Sequence, residues 1–137
     1  MRTGFMCAAV FICLLLESHD ISAQAKVRVR FARGASAAVV KGTVRGYAYR
    51  DHVVGASAGQ TLSVKLRSPN TYSVFTIFIP GGDNLEGAAE MDEFAGELPA
   101  SGDYVIRVGM MRAEARRRGS VSNYSLSISI KRSGGEK

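Results

Sequence analysis

Residues 124–130 read Tyr-Ser-Leu-Ser-Ile-Ser-Ile, a strict alternation of apolar and hydroxyl-bearing side chains. Successive side chains of a β-strand point to opposite faces, so this segment predicts a strand with one face in a core and the other in solvent. The same period of two recurs upstream at residues 104–108 and 62–66. The fold is therefore predicted to be built from strands.

Further strands are predicted on either side of these segments, with Gly46 as a bend or bulge between two of them. They are rich in alternating, β-branched or aromatic residues and occupy 27–31, 37–44, 47–54 and 72–79, the last as a central strand covered on both faces. Turn signals separate them at 58–60, 68–70, 80–84 and 98–102, and residues 85–96 predict a loop followed by a short edge strand. About eight short strands without a long helix predict an all-β fold, an antiparallel β-sandwich with a short helical turn in an arginine-rich loop.

The first 25 residues have the features of a secretory signal peptide. Arg2 precedes an apolar run of twelve residues, 5–16, and Ala-Gln-Ala at 23–25 resembles a cleavage site. A spanning helix needs about 20 apolar residues, so a retained anchor is the weaker interpretation. We expect a cleaved signal peptide over 1–25, a sandwich domain over 26–132 and a flexible tail over 133–137. The expected location is the periplasm, without membrane insertion after cleavage.

Cleavage would change both the redox chemistry and the charge. It would remove Cys7 and Cys13, so the mature domain would form no disulfide and would depend on core packing. The 18 basic side chains would fall to 17 and the 12 acidic ones to 10, which raises the net charge from +6 to +7. Such a domain can meet anionic polysaccharide, lipid headgroups or an acidic pocket on a protein, or the charge can serve solubility alone. Nucleic acid is not an expected partner in this compartment.

Catalytic chemistry finds little support. His52 is the one histidine beyond the signal peptide, and its neighbour Asp51 would point to the opposite face of a strand. An ordinary histidine is therefore favoured over a catalytic one. The acidic interval 83–97 offers oxygen ligands for calcium, but its spacing matches no calcium loop, and a solvated loop is favoured. The sequence predicts no enzyme, no metal and no cofactor.

The arginine-rich segment 107–118 stands out. If residues 112–116 form a helical turn, Arg112 and Arg116 lie on one face, whereas Glu114 points elsewhere. A guanidinium matches the two oxygens of a carboxylate and stays charged at any working pH. The pair is thus suited to binding acidic groups, although a solvated basic loop explains the same spacing.

Several segments together resemble a known family. They are, in chain order, 27–31, 42–49 with its Gly-Tyr-Ala-Tyr at 46–49, 58–60, 98–104, 107–108, 112–116 and 124–126. The sequence resembles the periplasmic inhibitors of goose-type (g-type) lysozyme. The resemblance implies an eight-stranded sandwich that plugs the substrate cleft of the enzyme. It also implies that Tyr47, Arg112 and Arg116 lie on the inhibitory loops.

Three functions remain open at this point. The first is inhibition of a g-type lysozyme, with Tyr47 as a rigid anchor, although Tyr47 can equally be a packing residue of the sandwich. The second is an envelope polysaccharide or anionic-polymer binding module that uses basic strand faces. The third is a structural accessory domain without a soluble target. The sequence indicates no oligomeric state.

Overall fold

The computed structural model describes residues 26–132, which form two four-stranded sheets. The elements are β1 (Lys26–Arg28), β2 (Ala37–Arg45), β3 (Arg50–Ala56), β4 (Gln60–Arg67), β5 (Ser73–Phe78), β6 (Glu93–Glu97), β7 (Gly102–Met110), α1 (Arg112–Ala115) and β8 (Val121–Arg132). The strand order is β1-β3-β7-β5 in the first sheet and β2-β8-β4-β6 in the second. The predicted all-β sandwich with one short helical turn is confirmed.

The predicted signal peptide with its two cysteines and the predicted flexible tail lie outside the described residues. Within residues 26–132 no helix is long and apolar enough to cross a membrane.

The core lies between the inner faces of the two sheets. The alternating residues of β4, β7 and β8 point inward as the sequence predicts, and the largest fully buried side chains include Leu62, Phe75, Ile77, Tyr104, Ile106, Leu126 and Ile128. Burial of one such aliphatic or aromatic side chain contributes roughly 1.5–3 kcal/mol. Packing of these side chains stabilises the described domain.

Strand pairing is antiparallel with one exception. β1 runs parallel to β3, and it ends at Arg28, shorter than the predicted strand over 27–31. The Val29 amide still donates to the Val53 carbonyl at 2.9 Å, and Val29 is buried while Val27 is exposed. The predicted inward alternation therefore fails at Val27 but holds at Val29, just beyond the end of β1.

The prediction that 72–79 is a central strand covered on both faces is wrong. β5 is the edge of its sheet, and its burial alternates between buried and half-buried residues. Its free edge is covered instead by the segment 84–91: Phe75 exchanges backbone hydrogen bonds with Met91, at 2.7 and 2.8 Å, and the Ile77 amide donates to the Ala88 carbonyl. Because this segment covers the free edge of β5, the strand can have the apolar composition of an interior strand.

The strand register defines two ends of the sandwich. Arg45 pairs with Val121, Arg50 with Val108 and Ser73 with Met110, so three connections meet at one end: 46–49, 68–72 and 111–120. We call this the loop end. The opposite end, here the turn end, carries the connections 57–59, 79–84 and 98–101.

Candidate functional site

Tyr47 lies in a tight turn at the loop end. The Ala48 amide donates to the Arg45 carbonyl at 3.0 Å, and Gly46 has a φ of +55°. A positive φ at the first central position of a tight turn favours glycine, which has no Cβ to clash with the backbone. Tyr47 takes the second central position and is 67% exposed. The sequence placed Tyr47 at the start of a strand, but β3 begins only at Arg50, so Tyr47 is not a packing residue of the sandwich.

Arg112 and Arg116 flank the single turn of α1. Arg112 begins the helix, and Arg116 ends it with helical backbone angles and an amide that donates to the Arg112 carbonyl at 3.1 Å. Both side chains are exposed, whereas Ala115 between them is buried. Glu114 points elsewhere and pairs with Arg117 at 3.1 Å. The predicted helical turn is therefore present, and both arginines are exposed.

The turn and the helix lie against each other. The Gly46 amide donates to the Ser120 carbonyl at 3.1 Å, just beyond the helix. A shallow depression of about 260 Å³ extends from the turn and Arg112 over β5 and β7, and its lining includes Tyr47, Tyr49, Arg107, Arg112 and Glu90. The structure thus brings Tyr47 and Arg112 to one surface. Arg116 lies one turn further along and does not line the depression.

Asn70 connects two of the loops of this end, 68–72 and 111–120. Its side-chain nitrogen donates to the Val121 carbonyl at 3.0 Å and to Glu114 Oε1 at 3.3 Å, and its side-chain oxygen accepts from the Tyr72 amide at 3.0 Å. The Met111 amide donates to the Tyr72 carbonyl at 2.9 Å. An isolated helix of four residues is not stable in water, so these tertiary contacts hold α1 in place.

Asp51 and Arg107 form an ion pair beneath the Tyr47 turn. Arg107 Nε and Nη2 donate to the two carboxylate oxygens of Asp51 at 2.9 and 3.1 Å. The hydrogen bond from Arg107 to Asp51 raises the pKa of the guanidinium. The central carbon of this guanidinium, Cζ of Arg107, also lies 4.0 Å from the centroid of the Tyr49 ring. The guanidinium is therefore held on its edge and on one face.

His52 is a structural residue. It is 2% exposed, and its Nε2 lies 2.7 Å from the hydroxyl of Tyr124 in the interior. Burial and the positive charge of Arg50 lower the pKa of His52 to about 4, and burial raises the pKa of Tyr124 to about 12. Both groups are thus uncharged at neutral pH. Asp51 is bonded to Arg107 on the other face, as the strand alternation requires.

The acidic interval behaves as a loop and an edge strand. It contains β6 at the edge of the second sheet, as expected. Among residues 26–132 no group of three or more histidine, cysteine or acidic side chains is arranged to hold a metal ion.

Two features of the loop end escaped the sequence reasoning. The sequence indicated Asn70 only as part of the turn at 68–70, because a residue that bonds to several loops leaves no periodic pattern in the sequence. Asp51 and Arg107 carry opposite charges on outward strand positions, and this signal would predict their contact once β3 is known to pair with β7.

Comparison with known proteins identifies relatives that match most of the chain. No protein-family model matches it. It is 32% identical to the inhibitor of g-type lysozyme of Escherichia coli K12 over 133 residues, which span 90% of this chain and 94% of the relative. That relative is an inhibitor and not an enzyme, in agreement with the predicted absence of catalysis.

Three solved structures are similar to this chain in both sequence and fold. A periplasmic inhibitor of g-type lysozyme from Aeromonas hydrophila is 39% identical with a TM-score of 0.69, covering 79% of this chain and 97% of its own. A mutant of the E. coli inhibitor is 32% identical with a TM-score of 0.65, over 80% of this chain and 100% of its own. The Salmonella Typhimurium inhibitor is 32% identical with a TM-score of 0.64, over 77% and 97%. These structures are of periplasmic proteins, and this chain is periplasmic as well. The exported sandwich with its exposed tyrosine and arginines belongs to the family of inhibitors of g-type lysozyme.

Proposed function

We propose that this protein inhibits a g-type lysozyme by inserting the loop end into the substrate cleft of the enzyme, with Tyr47, Arg112 and Arg116 as the contacting side chains. The observation that carries the proposal is the exposure of Tyr47 beside Arg112 at the rim of one depression. An exposed tyrosine on a rigid turn has no role in the sandwich core.

The chemistry of a glycosidase cleft suits these side chains. Glycoside hydrolysis uses carboxylates that flank the scissile bond in a groove. An arginine that enters the groove can form paired hydrogen bonds with such a carboxylate and exclude the sugar at the same time. Neither Arg112 nor Arg116 forms an ion pair within residues 26–132, so both guanidinium groups are available to a partner.

Tyr47 would act as the apolar anchor. A tyrosine brings a large contact area with few rotatable bonds, so little conformational entropy is lost on binding. The turn that carries it is closed by a backbone hydrogen bond and by contact with the α1 loop. Tyr72 and Met111 are also exposed at this end, and they would extend the apolar part of the interface.

The polymer-binding alternative has one observation in its favour. An open concavity of about 840 Å³ extends from the second sheet to residues 68–71 of the loop end, and its part on the sheet is lined by Lys41, Arg67, Asn123 and Ser125, among others. Lys41 and Arg67 both pair with Ser125 in register, which puts two basic residues in one row across β2, β8 and β4. The surface is suited to hydroxyl and anionic groups of a polysaccharide.

The deciding experiment titrates the protein into a peptidoglycan lysis assay with a g-type lysozyme. We expect inhibition near equimolar ratio, and a loss of roughly 30-fold or more in affinity for Tyr47→Ala and for Arg112→Ala with Arg116→Ala, as for interface residues that dominate binding. The matched control is Lys41→Ala with Arg67→Ala, which removes the same charge from the second sheet and should inhibit as the unmodified protein does.

Undiminished lysis at large excess of the protein would reject the proposal for that enzyme. An equal loss of affinity in the control variant would show that general charge, and not the loop end, controls binding.

A further inference from the structure

We propose that Arg107 is a positioning residue for Tyr47: it fixes the segment 48–51 over β7 and thereby sets the orientation of the Tyr47 turn for the target. The proposal rests on the inhibitory role of Tyr47 proposed above. Arg107 lies in the middle of the first sheet and is not part of either inhibitory loop.

The ion pair with Asp51 supplies the first constraint. Arg107 and Asp51 are direct register partners of β7 and β3, and their side chains meet on the outer face of the sheet. The Asp51 side chain is 3% exposed, whereas that of Arg107 is 38% exposed. A carboxylate removed from water is costly unless it is paired and hydrogen-bonded, so the start of β3 depends on the guanidinium of Arg107.

Two aromatic rings supply the second constraint. The guanidinium carbon lies 4.0 Å from the centroid of the Tyr49 ring and 4.9 Å from that of Phe78. Tyr49 precedes β3, and Phe78 lies on β5, which flanks β7 on the other side. A cation at this distance from a ring face is attracted to it. Arg107 therefore joins three neighbouring segments through side chains alone.

The third observation connects this contact to Tyr47. Tyr49 is two residues beyond Tyr47, and Ala48 between them closes the turn through its amide. The backbone of 48–49 lies close over β7: a Cβ at Gly109 would be 3.7 Å from Tyr49 Cβ and 3.8 Å from the Ala48 carbonyl oxygen. Displacement of the Tyr49 ring from Arg107 would therefore move the turn itself.

A direct contact between Arg107 and the target is the competing possibility. Its guanidinium is partly exposed in the same depression as Tyr47 and Arg112. However, two nitrogens of the guanidinium are bonded to Asp51, and the group also lies against the rings of Tyr49 and Phe78. These bonds favour an action through Tyr47, and the two actions make different predictions for combined substitutions.

The test is a double-mutant cycle on affinity for a g-type lysozyme, with Arg107→Lys, Tyr47→Ala and the combination. Lysine keeps the charge but loses the paired hydrogen bonds and the planar stacking. We expect Arg107→Lys to weaken binding roughly 10-fold by itself but less than about 3-fold in the Tyr47→Ala background, because coupled residues are not additive. Arg28→Lys is the matched control, since Arg28 pairs with Asp103 on the same sheet at the turn end. It should leave affinity unchanged in both backgrounds.

A second readout needs no lysozyme. Amide hydrogen exchange of Ala48, whose amide is bonded to the Arg45 carbonyl, should be roughly 10-fold faster in Arg107→Lys and unchanged in Arg28→Lys, since exchange reports local opening. Unchanged exchange in Arg107→Lys, or full multiplication of the two affinity losses, would overturn the positioning role. Absence of inhibition by the unmodified protein would reject the proposed function, while the exchange rates would still decide the role of Arg107 in holding the turn.

Discussion

The loop end of the sandwich buries polar and charged side chains, whereas the turn end buries none among the described residues. The buried polar or charged residues of the described chain are Asp51, His52, Ser73 and Ser122. All four lie within the first three residues of a strand that begins at the loop end. Glycines with positive φ do not distinguish the two ends, since they occur at 46 and 119 in the loop end and at 59, 81, 82 and 102 at the turn end.

Each arrangement has a physical reason. A tight turn needs only a residue that tolerates positive φ and a return hydrogen bond. The loop end must keep Tyr47 exposed on a fixed backbone, and its buried polar side chains meet that need because a hydrogen bond, unlike an apolar contact, has direction. Ser122 illustrates it: its hydroxyl bonds to those of Ser73 on β5 and Ser68 after β4. Networks of this kind fix one arrangement of the chain where every member is satisfied.

The largest expected effect comes from removal of the hub of the loop end. Asn70→Ala removes hydrogen bonds to Val121, Glu114 and Tyr72, and we expect it to lower the free energy of unfolding by about 3 kcal/mol. Urea denaturation measures it. Asn84→Ala, an exposed asparagine of the turn end, is the control and should change stability by less than about 0.5 kcal/mol. If Asn70→Ala lowers the free energy of unfolding as little as Asn84→Ala does, the proposed difference between the two ends is contradicted.

Acid should lower the free energy of unfolding through protonation of His52, which lies at the loop end. Its pKa in the folded protein is about 4, below the ordinary value of 6.5, so the unfolded chain binds the proton first as the pH falls. Stability is therefore complete above about pH 6.5 and decreases towards pH 4, with a loss of about 2 kcal/mol between pH 7 and pH 5 from this group. Urea denaturation at a series of pH values measures the slope.

His52→Gln is the control for this prediction, because glutamine can still bond to the Tyr124 hydroxyl but does not titrate in this range. The decrease in the free energy of unfolding between pH 7 and pH 5 should be smaller in that variant by about 2 kcal/mol, the part assigned to His52. An identical pH dependence in both proteins would contradict the assignment to His52.

The smallest of the three effects concerns the turn end. The hydroxyl of Tyr104 donates to the Ala100 carbonyl at 2.6 Å and accepts from the Ala100 amide at 3.1 Å, which fixes the 98–101 turn. Tyr104→Phe should lower the free energy of unfolding by about 1 kcal/mol. It should leave lysozyme inhibition unchanged, since the loop end is not affected. A loss of inhibition in this folded variant would show that the two ends are coupled.

Much of the fold could be predicted from the sequence. Alternation located the inward residues of β4, β7 and β8, and turn residues located their ends, because both signals are local. The short helical turn followed from the helix-forming residues of 110–116. Prediction was wrong for 72–79, where an apolar run indicated a central strand, and for Tyr47, where a β-forming residue was assigned to a strand.

The sequence by itself determined the strands, the sandwich class, the basic charge and the resemblance to the g-type lysozyme inhibitors. Only the tertiary structure decided that β5 is an edge strand, that Asp51 faces Arg107, that Asn70 joins the 68–72 and 111–120 loops and that Tyr47 shares a depression with Arg112. The reason is that alternation fixes which face a side chain takes, whereas pairing order and register are set by contacts between distant segments. The candidate site lies where three such segments meet.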